Sequence, residues 1–595
     1  MKRLILLIFL LLIPCQVWAA KISNPQTVTE MKTEIIQKSS IDFSVSTNYV
    51  ELNFSIPQED DYQKIESLEV YYNNGLCTDE CSYTLYYDEY GNKKITIVWE
   101  NPEGDIEFEI KSIVSIEARR SLQMNKIPAF LEPTSLVQST DQEIADLASK
   151  ARGSDFEKVA FLSKWIHQNI RYDKVFSDIN ISAKDILRTR RGVCDEFSNL
   201  LVSFLRNLGY YSGVAVGYVY PGRVYGGEEF QPHGWTEVYT DGGIVADPTW
   251  TEVGYLDATH IKFGVYPDSN WIYGNLIARG SFNLKANLGK IETEINILSF
   301  EEEPIVEASS QFLDKDVWRQ YGVIQTNLSA DGCILTKIYV KSCVDGNGDD
   351  ILTKENEDDI VYFCGDKSYF SILKIPTNLK DNIRYDCSVN VFPYAGKQEL
   401  VPFTISFELA DSLRLYTEKT TLTPGEKVTV SAPDAFIFSD KGDYGFDKTD
   451  ITASYTDFSV YAYKSGYLVE QPIRVVSEKP FEISISSPEN VTVGETIPVL
   501  VNVKNLRQGQ QAIEIKFKEE TIIDNIIGPK DFAFNFTPVD AEDNLIQVFV
   551  STLHYSASKS KLVEVLDNPN IIDYLVRGFY QILEWAYTVF KTIFK

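Results

Sequence analysis

From about residue 21 to 125, apolar and polar side chains alternate in short runs such as Ile41-Asp42-Phe43-Ser44-Val45 and Lys94-Ile95-Thr96-Ile97-Val98-Trp99. A period of two puts successive side chains on opposite faces of a strand, so these runs predict β-structure. Asp88-Glu89-Tyr90-Gly91-Asn92 between two of them predicts a hairpin turn. The period then lengthens. Over 143–151 and 155–170 apolar residues recur three and four apart, at Phe156, Val159, Ala160, Leu162, Trp165 and Ile166, which predicts amphipathic helices. Ser154 suits the N-cap of the second, with Glu157 completing a capping box. A short helix is expected over 183–188. A longer one is expected over 194–208, with Phe197, Leu200, Leu201, Phe204, Leu205 and Leu208 on its buried face and Gly209 as its stop. Strands return at 214–219, 233–239 and 243–247.

Beyond about 285 the pattern is strand-like again. Turn signals such as Thr423-Pro424-Gly425 and Val493-Gly494-Glu495 separate the runs, and 498–503 and 513–517 read as sandwich strands, with boundaries near 411 and 480. The end of the chain differs. Ile571, Leu575, Phe579, Ile582, Leu583, Ala586, Phe590 and Ile593 mark one face of an amphipathic helix over 568–595. Glu584 in its middle opposes a bilayer span. Trp585 and the final lysines suit a helix lying at a membrane surface, and docking against protein is the alternative.

Composition narrows the choices. The 595 residues are 44% apolar and 24% charged, a globular balance, and at about 100–200 residues per domain they imply several domains. Acidic residues outnumber basic ones 85 to 56, for a net charge of −29, which excludes a large nucleic-acid footprint. Residues 1–19 read as a signal peptide: Lys2 and Arg3, an apolar run over 4–13, and Val17-Trp18-Ala19 before the cut, with an uncleaved anchor as the alternative. Export favours disulfides. With Cys15 in the signal, Cys77 and Cys81 can pair across a turn, and Cys333, Cys343, Cys364 and Cys387 can pair in any of three ways. Cys194 is left over.

That cysteine opens the 194–208 helix, where partial positive charge favours a thiolate. A thiolate nucleophile needs a neighbouring base. The chain has four histidines. His167 reads as a boundary residue of a helix and His554 as a structural residue of a distant β module. His233 opens the alternating run His233-Gly234-Trp235-Thr236-Glu237-Val238-Tyr239, which fixes its ring on one face, and is the best base. Asp247 ends the strand over 243–247 just before Pro248 and suits the carboxylate that orients a histidine. The competing reading is a buried cysteine beside two ordinary strand residues.

Arg191-Gly192-Val193-Cys194-Asp195-Glu196-Phe197, His233-Gly234-Trp235-Thr236-Glu237-Val238-Tyr239 and Ala246-Asp247-Pro248-Thr249-Trp250 resemble the three blocks of the transglutaminase-like superfamily, in its order. The segments 165–173 and 256–260 are similar to parts of its microbial members. The resemblance covers about 130–275 and implies a papain-like α+β core. It also implies catalytic Cys194, His233 and Asp247 as nucleophile, base and orienting carboxylate, with acyl transfer through a thioester and no cofactor or metal. Gly234 stands where the family's best-known members have alanine. Asp257 and His260 match a family segment but read as structural.

The expected architecture is therefore multidomain: a central α+β transglutaminase-like core flanked by β-rich, sandwich-like domains and a C-terminal amphipathic helix. Its parts are an N-terminal β domain over 20–129, the transglutaminase-like catalytic domain over 130–284, and a β domain with disulfides over 285–410. A β module over 411–479, an Ig-like sandwich over 480–567 and the helix over 568–595 follow. The expected partner is a protein or peptide substrate, with membrane-surface contact through the terminal helix; the alternative is a non-catalytic surface scaffold. The stretch Asp345-Gly346-Asn347-Gly348-Asp349-Asp350 starts like a calcium loop, but Asp350 stands where glycine is needed and Asn356 where a bidentate Glu is needed, so over 345–359 an acidic turn is favoured. Cys343 and Cys364 flank it, which suggests a disulfide closing a hairpin tip. Sequons such as Asn53-Phe54-Ser55 would permit glycosylation of an exported chain.

Overall fold

The computed structural model describes residues 22–566 except 23, 74, 79–80, 124–125, 178, 223–226, 228, 271–273, 314–320, 342–352, 355–358, 375–384, 394, 397–398, 406–412, 476–480, 507–509, 519, 540–544 and 553–554. The expected signal peptide, the acidic stretch 345–350, His554 and the terminal helix over 568–595 lie outside the described residues. No helix among the described residues is long and apolar enough to cross a membrane. The chain forms two compact units. The first draws on residues up to Val476, and the second on those from Ser477 together with Ala145–Ser154 and Asn207–Gly209.

The alternation near the N-terminus folds as two facing sheets. In one, β1 (Val28–Phe43) pairs with β5 (Ile106–Glu117), which pairs with β3 (Gln63–Tyr72). In the other, β2 (Thr47–Ser55) pairs with β4 (Lys93–Glu100). Their inward residues, among them Leu52, Phe54, Ile97, Trp99, Phe108 and Ile110, form one core. The turn between Cys81–Tyr87 and β4 forms as expected: the Asp88 carboxylate accepts the N–H groups of Tyr90 and Asn92, and Gly91 takes φ +81°.

The expected boundary at 285 does not hold. Gly274–Gly280 pairs with β2, while Ala286–Leu288 and Glu292–Glu302 pair with β1, so the chain returns after the central domain to finish the N-terminal sheets. The physical reason is the free edge of β1. Its other side is taken by β5, and 16 residues of unpaired backbone would otherwise be left open.

The helices of this region are α1 (Gln142–Ala148), α2 (Asp155–Asn169), α3 (Ala183–Thr189) and α4 (Cys194–Asn207), of which α2 and α4 pack on an antiparallel sheet. Two short strands, β6 (Arg171–Tyr172) and β7 (Arg191–Gly192), pair parallel just before α4. The sheet runs β12 (Ile261–Tyr266), β8 (Tyr211–Val219), β9 (Gln231–Tyr239), β10 (Ile244–Asp247), β11 (Glu252–Val253). Val202 of α4 packs on Val214 and Val216 of β8. Beyond β11 the sheet continues into Tyr321–Lys341 through a pair at Val253 and Leu335, and then into Ile360–Lys374. Further strands over 416–475 form a separate sheet in the same unit.

In the second unit, Phe481–Ser486, Ile497–Asn505 and Pro529–Phe536 form one sheet and Gln511–Phe517, Glu520–Ile526, Leu545–Thr552 and Tyr555–Leu562 another. Val499, Val501, Ile515, Phe534 and Val548 lie in their shared core.

Cys77 bonds to Cys81, and Cys333 to Cys364. The second bridge corrects the expected Cys343–Cys364 hairpin tip: antiparallel register sets Cys333 directly opposite Cys364. Cys194 is the free thiol among the described residues.

A buried charge cluster joins the central sheet to the N-terminal one. Lys262 Nζ lies 2.8 Å from Asp60 and 3.0 Å from Glu237, and Arg119 also pairs with Asp60. Burial opposes the charge on Asp60, but Arg119 and Lys262 outweigh it and hold its carboxyl well below the usual range. This stabilisation is present above the unfolded carboxylate pKa of ~4 and is lost as pH falls below it. Lys262→Met leaves Glu237 buried without its cation, and urea denaturation is expected to record a loss of about 3–5 kcal/mol.

Candidate active site

The site begins with the peptide before α4. Arg190 ends α3 in the left-handed region at φ +57°, with its guanidinium over the Trp165 ring. The Arg171 N–H donates to Arg190 and the Asp173 N–H to Gly192, which pins β7 beside β6. Helix α4 starts at the next turn. The Val193 N–H donates to the Glu196 carboxylate at 2.9 Å, half of a capping box whose other half valine cannot supply. Gly192 is needed here, since a Cβ on it would lie 2.6 Å from that of Glu196. Burial raises the Glu196 carboxyl to about 7, against the hydrogen bond from Val193. Cys194 is thus the first residue of a firmly capped helix, 8% exposed, with its N–H among those that a helix leaves unpaired.

His233 lies in β9, opposite Gly217 of β8. The register pairs Thr236 with Ala246, and Asp247 is the next residue, the last of β10, paired on its other side with Glu252. Pro248 has no N–H to extend the ladder, and the chain turns. Asp247 Oδ1 accepts the N–H groups of Thr249 at 2.7 Å and Trp250 at 3.2 Å. Its Oδ2 lies 2.7 Å from His233 Nε2. The Trp250 ring stacks on the His233 imidazole, centroids 4.9 Å apart. Ser198 of α4 donates to the Gly234 carbonyl, tying the helix that carries the sulfur to the strand that carries the ring.

All three predicted residues therefore meet. With Nε2 engaged by Asp247, Nδ1 is the ring nitrogen left over, and Cys194 is the next group that acts on His233 electrostatically. Burial opposes protonation of His233, but Asp247 and Cys194 outweigh it and push it up to about 9. Burial likewise opposes charge on Asp247, and His233 and His260 together hold it well below the usual carboxylate range.

Sequence reasoning missed three neighbours. Asp195 Oδ1 lies 3.8 Å from Cys194 Sγ, and burial raises its carboxyl. It also explains glycine at 234, where a Cβ would come 2.7 Å from that oxygen. Tyr172, nearly half exposed, sits at the lip against Phe197, its hydroxyl raised by burial and then by Cys194 and Asp195. His260, taken from sequence as structural, lies against Asp247. Only the 256–260 family segment pointed to it. His167 is half-buried, with Nδ1 on the Thr249 carbonyl, and burial lowers its pKa.

Residues 142–253 match the model of the transglutaminase-like superfamily, a stretch that contains Cys194, His233 and Asp247. The chain carries a transglutaminase-like domain over these residues. An uncharacterized protein of Mycobacterium leprae is 26% identical over 186 residues, 30% of this chain and 66% of that protein's length, just under two thirds. A solved structure described as a candidate cysteine protease of Cytophaga hutchinsonii is similar at 18% identity and TM-score 0.34, covering 46% of this chain and 93% of its own. A bacterial ice-binding adhesin is similar at 11% identity and TM-score 0.16 over 45% of this chain and 99% of its own. At these scores neither structure bears on activity.

Gly192→Ala must displace Glu196 from the helix start. Thermal or urea unfolding is expected to register a loss of about 1–2 kcal/mol, the size of a lost cap, and Glu196→Ala should lose a similar amount.

Proposed function

We propose that this chain is an exported thiol enzyme acting on protein or peptide amide bonds through a Cys194 thioester. The observation that carries the reading is the His233–Asp247 bond, 2.7 Å long with Asp247 0% exposed, which leaves the other ring nitrogen for the sulfur. In this reaction the thiolate attacks the amide carbonyl carbon. N–H groups at the α4 start, that of Cys194 among them, are placed to bind the oxyanion. The C–N bond then breaks as His233 gives its proton to the leaving amine. Water or a second amine, losing its proton to His233, attacks the thioester and frees the thiolate. Water gives hydrolysis or deamidation, and an amine gives transfer or cross-linking.

The two disulfides fit an oxidising, extracellular compartment. The proposal keeps the β modules as the parts that place the domain at a cell surface, and residues 568–595 as its contact with a membrane. A non-catalytic scaffold is the second reading, favoured by the large share of the chain that lies outside residues 142–253.

The direct test compares wild type with Cys194→Ala for cleavage of peptide amides and for uptake of a labelled primary amine. Loss of either activity in Cys194→Ala supports the enzyme. No activity, or full activity without the sulfur, favours the scaffold. His233→Ala is expected to lower kcat/KM by about 10²–10⁴. His233 is raised from 6.5 to about 9, so its charged pairing is complete below 6.5 and is lost as pH rises through about 9. The pH profile of kcat/KM should therefore fall on its alkaline side near that value.

A further inference from the structure

His260 is buried beside the site, and neither the proposed mechanism nor the family match through Val253 assigns it a part. It follows the loop after β11 and precedes β12. Its Nε2 lies 3.5 Å from Asp247 Oδ2, the oxygen that also meets His233 Nε2 at 2.7 Å. On its other side, Nδ1 lies 3.5 Å from Asp257 Oδ2. Asp257 is itself fixed, its Oδ1 accepting the Thr259 N–H at 2.8 Å. Aromatic rings wall the His260 imidazole, with the Trp235 and Trp250 centroids 5.3 and 5.6 Å away and both rings steeply inclined to it. The two imidazoles stand 5.9 Å apart. His260 and Asp247 are each 0% exposed and Asp257 is 1% exposed.

We propose that His260 is a positioning residue of the thiol site: backed by Asp257, it shares Asp247 Oδ2 with His233 and so limits how tightly Asp247 holds the proton of His233. The inference rests on the thiol-enzyme reading. The row is Cys194, His233, Asp247, His260, Asp257, with histidine and aspartate alternating from His233 onward. The charged or titratable groups facing His260 are Asp247 from β10, Glu252 from β11, Asp257 from the loop and His233 from β9. Glu252 faces the same cluster, and burial, Asp257 and Asp247 raise its carboxyl well above the usual range. Burial opposes charge on His260, yet Asp257 and Asp247 push it up to about 9. Two aspartates and two histidines thus face one another in a space almost closed to water. Taking away the charge of His260 leaves Asp247 to His233 alone and removes a like charge beside it, and both changes make His233 hold its proton more strongly.

The test needs no substrate. Iodoacetamide alkylation of Cys194 is followed against pH in the full chain, for wild type, His260→Gln and Asp257→Asn, with thermal melting to confirm folding and metal analysis of each preparation. In wild type the thiol should react at neutral pH faster than free cysteine, with an alkaline inflection near the His233 value of about 9. In His260→Gln, whose amide still donates to Asp247 without a charge, the inflection should move up by about one unit. Asp257→Asn should move it the same way by less, and serves if His260→Gln fails to fold. An unmoved inflection in folded variants overturns the role of His260 while leaving the thiol enzyme standing. A stoichiometric divalent ion in wild type that His260→Gln loses also overturns it, since an ion and not the shared charge would then fill the cluster. Wild-type reactivity no greater than that of free cysteine overturns the thiol-enzyme reading, and this inference with it.

Discussion

A carboxylate kept ionised where water does not reach is the constraint around which the centre of this molecule is arranged. Asp247 is fully buried, and an isolated charge there would cost several kcal/mol. Its cost is offset on every side. Two backbone N–H groups from the turn after Pro248 fill one oxygen, and two imidazoles share the other. Chain direction supplies the first pair, because proline ends the strand and the next two peptides fold back on the side chain. Sheet register supplies the nearer ring, and a loop that turns back after β11 supplies the further one.

The rest of the domain fixes the helix start that carries the sulfur. The β6–β7 pair, the Glu196 cap and the Ser198 bond to β9 fix the start of α4 from three directions. Two glycines make the close approach possible, one under Glu196 and one beside Asp195. The Lys262 cluster and the returning strands over 274–302 bind this domain to the N-terminal sheets, so these two parts are joined and not independent modules.

Much of the site could be read from sequence because its parts are local signals: a cysteine at a helix start, a histidine in an alternating run, an aspartate before proline. Helix limits were close for the same reason, as periodicity and Gly209 both mark the end of α4. What failed was non-local. Nothing in 286–302 says that its partner is β1, over 240 residues earlier, because any strand with suitable alternation could take that edge. Cys364 gave no hint of choosing Cys333 over Cys343, since the choice is made by strand register. His260 lacked a helical or strand period to show which way its ring points. Asp195 seemed an ordinary first-turn acid until the space left by Gly234 placed it beside the sulfur.

The central claim is that His233, held by Asp247, keeps a proton for Cys194 well above neutral pH. With four histidines in the chain, ring-¹⁵N labelling and NMR titration can follow each imidazole. The account predicts one ring with a strongly hydrogen-bonded Nε2–H that titrates near about 9 and falls toward 6.5 when Cys194 is replaced by alanine. A His233 ring that titrates near 6.5 in the intact protein and ignores the loss of the sulfur would contradict it.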